Sequence, residues 1–322
     1  MENKAPDISV IVVTWNAKDY TLECLESLQR QTTGLAVEVI VVDNASGDGT
    51  PQAVAEKFPW VRLICNSENH GFARANNQGI EVSRGRYLYL INSDVVVPDG
   101  CLSLLLSYMD AHPDIGLLGP KMLTPTGEVG YSVMRFPTAW NTLCCALGFD
   151  SLFKHSSSLG GFMMKGFPYD HTEDVEVLTG WFWVVRRSAL EKVGGLDEQF
   201  FMYGEDIEWS HRFHNGGWRV VYYADAEALH YGGASSKNAP ARFYVEMRRA
   251  NLQYHRKYHG PVSQAAYFVS VLLHECARVV AYCVIFVVRH SQRTEASFKI
   301  DRSLRCMGWL AGFRSTCKAQ TS

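Results

Sequence analysis

The sequence predicts an α/β protein built on a doubly wound, mostly parallel sheet. Strand-like and helix-like segments alternate from Ile8 to Asn92 at the spacing of βαβ units. The strand-like segments are continuous apolar, β-branched runs, as in Ile8–Thr14, which is typical of strands covered on both faces. With 47% apolar and 20% charged residues, a chain of 322 residues can bury a large core.

The predicted elements follow one another in a regular order. The first helix is predicted because Leu22, Leu25 and Leu28 are spaced to share one helix face. The first seven elements alternate between strand and helix: Ile8–Thr14, Ala17–Arg30, Val37–Asp43, Thr50–Lys57, Val61–Asn66, Phe72–Ser83 and Arg86–Asn92. From about Thr124 to Thr179 no period is clear, which fits either a binding region or irregular packing. A strand, a helix, a strand and a basic helix follow: Trp181–Val185, Asp206–Asn215, Trp218–Tyr223 and Pro240–Tyr258.

Charge and cysteine usage narrow the class of protein. The net charge of −2 gives no overall field that would recruit nucleic acid. The nine cysteines are an odd number with no C-x-x-C spacing, as in a reduced, cytosolic protein. The amino terminus runs directly into a strand-like segment, so we expect no secretory signal. A cytoplasmic protein without a nucleic-acid partner is therefore expected.

The carboxyl-terminal segment differs in character. Ala265–Val288 is strongly apolar, but Glu275 and Arg278 interrupt it and leave only about ten uncharged residues, fewer than the roughly 20 of a spanning helix. Residues 289–322 then hold seven Lys and Arg side chains. This order suits peripheral contact with the anionic inner face of a membrane. The alternative is a core or dimer helix with a solvated tail, which leaves open whether the chain forms a homo-oligomer.

Polar residues follow the predicted strands where a doubly wound sheet binds its ligands. Asp43 closes the second strand, and an acid there can bind a ribose. The first turn, Thr14–Ala17, lacks the glycines of G-x-G-x-x-G, which argues against a dinucleotide site but allows a base and ribose. The alternative is that Asp43 and Asp48 only shape a turn.

Two further stretches suggest a diphosphate site. Asn92-Ser93-Asp94 ends the fourth strand, and a carboxylate there suits a hard cation that bridges diphosphate oxygens. Asn69–Arg74 precedes a helix: Gly71 allows close backbone approach, the helix start offers N–H groups, and Arg74 adds a cation. A common turn and a helix cap with a surface arginine are the alternatives.

The second acidic group lies around Glu205 and Asp206, at the start of a predicted helix. Capping explains Asp206, and Glu208 is placed for an ordinary i, i+4 pair with Arg212. The functional interpretation is a general base whose pKa neighbouring acids raise. His230 follows a predicted strand and could complete a metal site with Asp94, although a lone histidine is more often structural.

Together these stretches resemble the family 2 glycosyltransferases of the GT-A fold, especially the bacterial rhamnosyltransferase-like branch. The matching segments lie in family order across about residues 8–235: Ile11–Asn16, Val42–Ser46, Asn69–Ala73, Asn76–Asn77, Asn92–Asp94, Gly194–Asp206 and His230–Gly233. The resemblance implies a GT-A catalytic domain over residues 1–240, with a nucleotide-binding half of about 1–120 and an acceptor-binding half of about 121–240. A helical, membrane-associating extension would occupy 241–322.

The resemblance also implies roles for single residues. Asp206 would be the catalytic base and Asp94 the metal-binding acid, with His230 as a second ligand for Mg²⁺ or Mn²⁺. The substrate-binding residues would be Thr14, Asn16 and Asp43 for the nucleoside, Trp181 for the acceptor, and Asn69, Gly71, Arg74, Asn92, Ser93 and Glu205. Asn92 stands where the D-x-D-type motif begins, and the bulky run Gly180–Trp183 departs from the usual small residues.

The implied reaction is inverting transfer of a sugar from a nucleotide-sugar to a hydroxyl of a growing cell-surface glycan or lipid-linked saccharide. L-rhamnose from dTDP-L-rhamnose is the expected donor. UDP-galactofuranose, UDP-glucose and UDP-GlcNAc are alternatives, since enzymes using them share these motifs. A sugar nucleotidyltransferase would need a G-x-G-x-R signature after the first strand, which is absent. A non-catalytic nucleotide-sugar-binding protein would need no Glu205–Asp206 pair.

Overall fold

The computed structural model describes residues 5–31, 34–233 and 240–312. The chain divides into two compact units. Unit 1 comprises Met1–Phe136 and Phe167–Asn238, and unit 2 comprises Pro137–Gly166 and Ala239–Ser322. The segment 137–166 therefore groups with the carboxyl-terminal helices, which differs from the predicted boundary near residue 240. Arg314 and Lys318 of the predicted basic tail lie outside the described residues.

The strands and helices agree with most of the predicted elements. The strands are β1 (Ile8–Thr14), β2 (Val37–Asp43), β3 (Arg62–Cys65), β4 (Tyr87–Asn92), β5 (Val95–Val96), β6 (Ile115–Leu123), β7 (Val133–Met134), β8 (Glu173–Asp174), β9 (Val177–Leu178), β10 (Phe182–Arg186) and β11 (Arg219–His230). The α-helices are α1 (Lys18–Gln31), α2 (Thr50–Lys57), α3 (Phe72–Val82), α4 (Cys101–Ala111), α5 (Ala139–Ala146), α6 (Phe149–Leu152), α7 (Arg187–Val193), α8 (Glu205–Asn215), α9 (Pro240–Tyr258), α10 (Pro261–Val288) and α11 (Arg293–Leu310).

The central sheet of unit 1 is mostly parallel, as predicted. Its main path runs β3-β2-β1-β4-β10-β6-β11-β5, with β8 paired to β11. The pairs β1–β2, β1–β4, β2–β3 and β6–β11 are parallel, whereas β10 is antiparallel to both β4 and β6. Ile8, Val10 and Val12 of β1 are fully buried, and the predicted face of α1, with Leu25 and Leu28, packs in the same core. Burial of these apolar runs drives the formation of the sheet.

The sheet brings the ends of several strands to one edge. Thr14 at the end of β1 is in register with Asp43 at the end of β2, and Val13 is in register with Asn92 at the end of β4. The antiparallel strand β10 begins at this edge, where the Asn92 N–H donates to the Trp181 carbonyl over 2.9 Å. The polar residues predicted at strand ends therefore share one edge.

Strand β11 is longer than predicted. It continues past Tyr223 to His230 through an irregularity in its pairing with β6 between Tyr223 and Glu227. The added stretch alternates buried alanines with exposed Asp225 and Glu227. Alanine and acidic residues have low strand propensity, so composition alone gave a weak signal there. The extension matters because it carries His230 to β5, where it is in register with Val95.

Unit 2 consists of α5, α6 and the three helices α9, α10 and α11. Helix α5 begins with a capping box between Thr138 and Asn141, a T-x-x-N signal inside the region where no period was clear. Helix α10 is continuous through Glu275 and Arg278, the two charges that were expected to leave too short an uncharged run for a membrane span. By length and composition alone, it is the one helix among the described residues long and apolar enough to cross a membrane.

Candidate active site

The first part of the site surrounds Asp43, which is only 1% exposed. Its Oδ2 accepts the Ser46 N–H over 2.9 Å. Its Oδ1 is buried and has no hydrogen-bond partner among the described residues. An unsatisfied buried carboxylate oxygen costs free energy, and the cost is removed when a ligand donates to it. Asp43 therefore has an oxygen available to accept a hydrogen bond from a ligand.

The neighbouring turn residues hold the loops around Asp43. Asn16 adopts φ 49°, its N–H donates to the Ser46 hydroxyl over 2.8 Å, and its Oδ1 accepts the Gly47 N–H over 2.8 Å. The Thr14 hydroxyl is buried and lies 2.7 Å from the Thr21 hydroxyl. The Thr14 hydroxyl is thus buried within the protein, and Asn16 connects the loop after β1 to the loop after β2.

Asp48 shapes a turn, which is the structural alternative to a ligand-binding role. It accepts the Lys18 N–H over 3.0 Å and the Thr50 N–H over 3.0 Å, which joins the starts of α1 and α2. Burial raises the pKa of Asp48, but the hydrogen bonds from the Thr50 hydroxyl and the two N–H groups outweigh it and lower the pKa overall. Its carboxylate is therefore fully used within the protein.

Gly71 makes its close approach to the protein's own backbone. It adopts φ 84°, and a Cβ atom there would clash with the Phe201 carbonyl oxygen. The same carbonyl accepts the Phe72 N–H over 2.8 Å, so the start of α3 is partly capped from within the chain. This differs from the expectation that the glycine and the helix start serve a ligand. Asn69 Oδ1 accepts the Gly71 N–H over 2.9 Å, while Arg74 is exposed on the first turn of α3.

Asp94 and His230 are in direct contact although they are far apart in the chain. Asp94 Oδ1 lies 3.1 Å from His230 Nε2, and both side chains are largely buried. The Tyr231 N–H donates to the Asp94 carbonyl over 3.0 Å, which fixes the end of β11 against the turn after β4. Ser93, between Asn92 and Asp94, is also buried. The pairing predicted from the sequence is present in the geometry.

This pair fits a divalent cation that shares its coordination with a substrate. Among the described residues, no group of three or more His, Cys, Asp and Glu side chains could hold a metal. A carboxylate and an imidazole supply two positions and leave the rest to water and phosphate oxygens. Mg²⁺ is held in this way at nucleotide sites, through one or two carboxylates plus substrate phosphates.

Trp181 supports His230. Its ring is only 3% exposed and stacks on the imidazole, with ring centroids 5.5 Å apart and planes at 25°. This burial does not favour the predicted contact of the Trp181 ring with an acceptor. The bulky ring packs against the imidazole and restricts its orientation.

The acidic pair opens α8 on a strained turn. Tyr203 and Gly204 both have positive φ, 68° and 78°. A tyrosine in this region costs about 1–3 kcal/mol, and such strain concentrates at functional sites. The turn places Glu205 and Asp206 at the start of the helix, where their charges are favourable to the helix dipole.

The environments of the two acids separate their pKa values. Burial raises the pKa of Asp206 to about 6, while backbone N–H groups of Ile207, Asp206, Gly204 and Gly180 hold it from rising further. Burial, and then the charge of Asp206, raise the pKa of Glu205 well above its usual range. Glu205 Oε2 is buried without a hydrogen-bond partner among the described residues. These shifts favour a state near neutral pH in which Glu205 keeps its proton and Asp206 is the ionised member of the pair.

A continuous set of contacts joins the base to the metal-binding pair. The backbone N–H of Gly180 lowers the pKa of Asp206, Trp181 follows Gly180, and the Trp181 ring lies on His230, which contacts Asp94. Sequence reasoning missed the roles of Gly180, Phe201, Tyr203 and Ser46. The signals available were the departure of Gly180–Trp183 from small residues and the family-matching segments Val42–Ser46 and Gly194–Asp206, which contain the other three residues.

Glu208 and Arg212 form the predicted i, i+4 pair. Arg212 Nη2 lies 2.8 Å from the Glu208 carboxylate, which is fully buried. The same guanidinium donates to the Gly195 carbonyl over 2.7 Å. The pair therefore anchors α8 to the loop after α7 and leaves Glu208 no part in the chemistry.

Residues 9–194 match the family described as Glycosyl transferase family 2. The chain belongs to this family. Among curated relatives, it is 31% identical over 254 residues to the N-acetylglucosaminyl-diphospho-decaprenol L-rhamnosyltransferase of Mycobacterium tuberculosis, which covers 73% of this chain and 79% of that protein. It is 26% identical over 229 residues to the low-salt glycan biosynthesis hexosyltransferase of Haloferax volcanii, over 70% and 67% of the two chains.

Solved structures confirm the predicted GT-A fold. The mannosyltransferase PcManGT from Pyrobaculum calidifontis, in complex with GDP-Man and Mn²⁺, has a TM-score of 0.52 at 18% identity, over 95% of this chain and 88% of that one. Staphylococcus aureus TarS has a TM-score of 0.51 at 20% identity, over 82% and 42%. At such identities the likeness shows the fold alone. The family membership makes this protein a glycosyltransferase, as predicted.

Proposed function

We propose that this glycosyltransferase transfers a sugar from a nucleotide-sugar to an acceptor hydroxyl with inversion at the anomeric carbon. The acidic pair at the start of α8 carries the proposal. Asp206 is ionised near neutral pH beside a protonated Glu205, and it is connected through Gly180 and Trp181 to the Asp94–His230 pair. A base and a metal-binding pair held in one framework are what displacement at a sugar carbon requires.

In this mechanism, Asp206 accepts the proton of the acceptor hydroxyl as the oxygen attacks the anomeric carbon. The attack comes from the side opposite the nucleoside diphosphate, so a single displacement inverts the configuration. General base assistance of this kind accelerates a reaction about 10²–10⁴-fold. Because Glu205 stays neutral, Asp206 does not face a second full charge as it waits for the proton.

Asp94 and His230 would hold Mg²⁺ or Mn²⁺, which acts as a Lewis acid toward the leaving diphosphate when bound. Trp181 keeps the imidazole in the orientation that the pair requires. The Mn²⁺ present in the mannosyltransferase of similar fold supports this assignment. Asn92, Ser93, Asn69 and Arg74 surround the proposed diphosphate side, where Arg74 offers an exposed cation.

Asp43 would bind the nucleoside. Its buried Oδ1 is ready to accept a base N–H or a ribose hydroxyl, and Asn16 and Thr14 keep the surrounding loops in place. A hydrogen bond to a charged group is worth about 1.5–3 kcal/mol, enough to matter for donor affinity.

The donor we propose is dTDP-L-rhamnose, and the acceptor is a growing glycan or lipid-linked saccharide. The relative from Mycobacterium tuberculosis, named for rhamnose transfer to a diphospho-decaprenol acceptor, supports both. UDP-galactofuranose, UDP-glucose and UDP-GlcNAc remain the alternative donors. A non-catalytic binding protein is the weaker alternative, because it would not need the strained turn that presents Asp206.

We place the enzyme on the cytoplasmic side of a membrane, in peripheral contact through unit 2. Val269, Leu273, Val280, Val284 and Val287 of α10 are spaced to share one helix face, and each is more than half exposed. An exposed apolar stripe of this length indicates an interaction surface. A second subunit that covers the same stripe is the alternative.

A panel of nucleotide-sugars tests the proposed function. The purified chain with Mn²⁺ is incubated with dTDP-L-rhamnose, UDP-galactofuranose, UDP-glucose and UDP-GlcNAc, and release of nucleoside diphosphate is measured without acceptor. We expect dTDP-L-rhamnose to be hydrolysed fastest. Preference for another donor would correct only the donor. Binding without hydrolysis of any donor, together with no transfer to lipid-linked saccharides, would favour the non-catalytic alternative.

A further inference from the structure

Unit 2 contains a group of cationic side chains that outnumber the carboxylates lying among them. We call these cations, with the tyrosine rings that they surround, the basic cluster. Its members lie on three helices and surround two tyrosine rings: Arg248 on α9, Arg278 on α10, and Lys299 and Arg302 on α11, with Tyr244 and Tyr282. Two carboxylates, Glu275 and Glu295, lie among these four cations.

Each carboxylate already has a partner, although Glu275 Oε2 is buried without a hydrogen bond among the described residues. Glu275 is fully buried, accepts the Tyr244 hydroxyl over 2.5 Å and lies 3.5 Å from Arg248. Glu295 is paired with Lys299. Among the described residues, no carboxylate lies within 4 Å of Arg278 or Arg302. Both arginines lie over tyrosine rings: Arg302 lies 4.0 Å from the Tyr244 centroid, and Arg278 lies 5.2 Å from that of Tyr282.

The arginines also leave buried donors unused. The Nε atoms of Arg248, Arg278 and Arg302 are buried, and none has a hydrogen-bond partner among the described residues. A buried cation without a partner is costly unless an anion meets it. Burial, and next the charge of Arg278, lower the pKa of Arg302, and the opposing contributions of Tyr244, Glu275 and Tyr282 do not fully offset them. Arg278 and Arg302 remain half-buried, so a ligand can reach them.

We infer that the basic cluster binds a phosphate or diphosphate group. Guanidinium groups bind phosphate through paired, charge-assisted hydrogen bonds, which would satisfy the unused donors. The group could belong to a lipid or to a free phosphate compound. The exposed apolar stripe of α10, around Val280 and Val284 on the same helix, suits a lipid. This inference goes beyond sugar transfer, and its test uses binding alone.

Vesicle flotation of the full chain tests the lipid source. Phosphatidylcholine vesicles carry either phosphatidic acid, a phosphate monoester, or phosphatidylglycerol at matched surface charge. We expect about tenfold tighter binding to phosphatidic acid, a ratio that general attraction of basic residues to a charged surface does not produce. Arg278→Gln with Arg302→Gln should abolish the preference. The matched control, Arg289→Gln with Arg305→Gln, removes two exposed arginines and should keep it.

Inorganic diphosphate tests the free source. A ligand of the folded state raises Tm, so diphosphate should raise the Tm of the wild type and the control but not that of the Arg278→Gln, Arg302→Gln variant. A raised Tm without a vesicle preference assigns the site to a free phosphate compound. The inference is overturned if the wild type shows neither effect, or if the variant retains both. Both wild-type measurements decide the question even if the variant fails to fold.

Discussion

The two units of this glycosyltransferase differ in how far their apolar side chains are buried. Unit 1 buries the apolar runs of its sheet, whereas unit 2 leaves many of its own apolar side chains exposed. Of the eighteen large apolar side chains exposed among the described residues, fourteen belong to unit 2, although it is the smaller unit. Burial builds a rigid framework for chemistry in unit 1. Exposure in unit 2 leaves a surface that another apolar phase can cover.

The units also differ in the charge that they leave unsatisfied. Among the charged side chains of the described residues, unit 1 leaves carboxylate oxygens of Asp43 and Glu205 buried without hydrogen-bond partners, whereas unit 2 leaves three arginine Nε–H groups and one carboxylate oxygen, Glu275 Oε2. Each imbalance points to a ligand of the opposite kind. Unit 1 can receive donors and a cation, and unit 2 can receive an anion.

The largest effect is expected from the base. Asp206→Asn should lower the transfer rate about 10²–10⁴-fold, because an amide cannot accept the acceptor proton. Donor binding, measured by calorimetry, should be retained. The matched control is Glu198→Gln in the segment before α8, an exposed residue whose oxygen accepts the Asn77 amide and would still do so as glutamine. It should keep the wild-type rate, and wild-type turnover by Asp206→Asn would remove Asp206 from this role.

Loss of the metal should have the next largest effect. EDTA, or Asp94→Asn, should lower transfer by about 100-fold or more, since Lewis-acid stabilisation of the leaving group is worth several kcal/mol. Added Mn²⁺ should restore the EDTA-treated wild type but restore Asp94→Asn only at much higher concentration. Undiminished transfer in EDTA would argue against metal binding by Asp94 and His230.

Asp43→Asn should act on donor affinity alone. Loss of one charged hydrogen bond corresponds to about a 10–100-fold rise in the KM for donor, with kcat little changed. Steady-state kinetics at saturating acceptor separates the two constants. A fall in kcat at unchanged KM would show that Asp43 acts in the chemical step.

Charged substitutions on α10 test whether the exposed apolar side chains of unit 2 contact a membrane. Val280→Asp with Val284→Asp should reduce membrane partitioning at least about tenfold, because two side chains that would enter the apolar phase become charged. Val129→Asp changes a similarly exposed valine of unit 1 and should leave partitioning unchanged. Equal partitioning of all three proteins would favour a subunit contact on α10 instead.

The smallest effect concerns stability and pH. The folded-state pKa of Glu205 is raised, so unfolding becomes easier as pH rises above 4.5, where the unfolded carboxyl ionises. Glu205→Gln lacks this penalty and should be more stable than the wild type at neutral pH. The difference should grow by up to about 1.4 kcal/mol per pH unit and vanish below pH 4.5. Urea unfolding at several pH values measures it.

The sequence predicted most of unit 1 because its signals are local. Apolar runs fixed the bounds of β1 and β2, and the rule that ligands bind at strand ends placed Asp43 and Asn92 on one edge. The contact between Asp94 and His230 followed from the family resemblance. Periodicity alone could not have paired them, because β11 reaches β5 through an irregular stretch of weak strand formers.

The sequence failed where a residue's role depends on a distant partner. The sequence predicts space for a ligand beside Gly71, but Phe201 fills that space. The family resemblance predicts that Trp181 contacts the acceptor, but its ring packs on His230. The grouping of residues 137–166 with the carboxyl-terminal helices had no local signal at all. Tertiary contacts decided each case, and a single sequence does not display them.

The pH dependence of transfer by the wild type tests the central claim most directly. Between pH 4.5 and 8, at saturating metal, kcat/KM should fall below pH 6 by about tenfold per pH unit as Asp206 takes up one proton. Glu205→Gln, which preserves a neutral neighbour, should keep this acid limb. A rate that stays constant from pH 5 to pH 8 would contradict the assignment of an ionised Asp206 as the base.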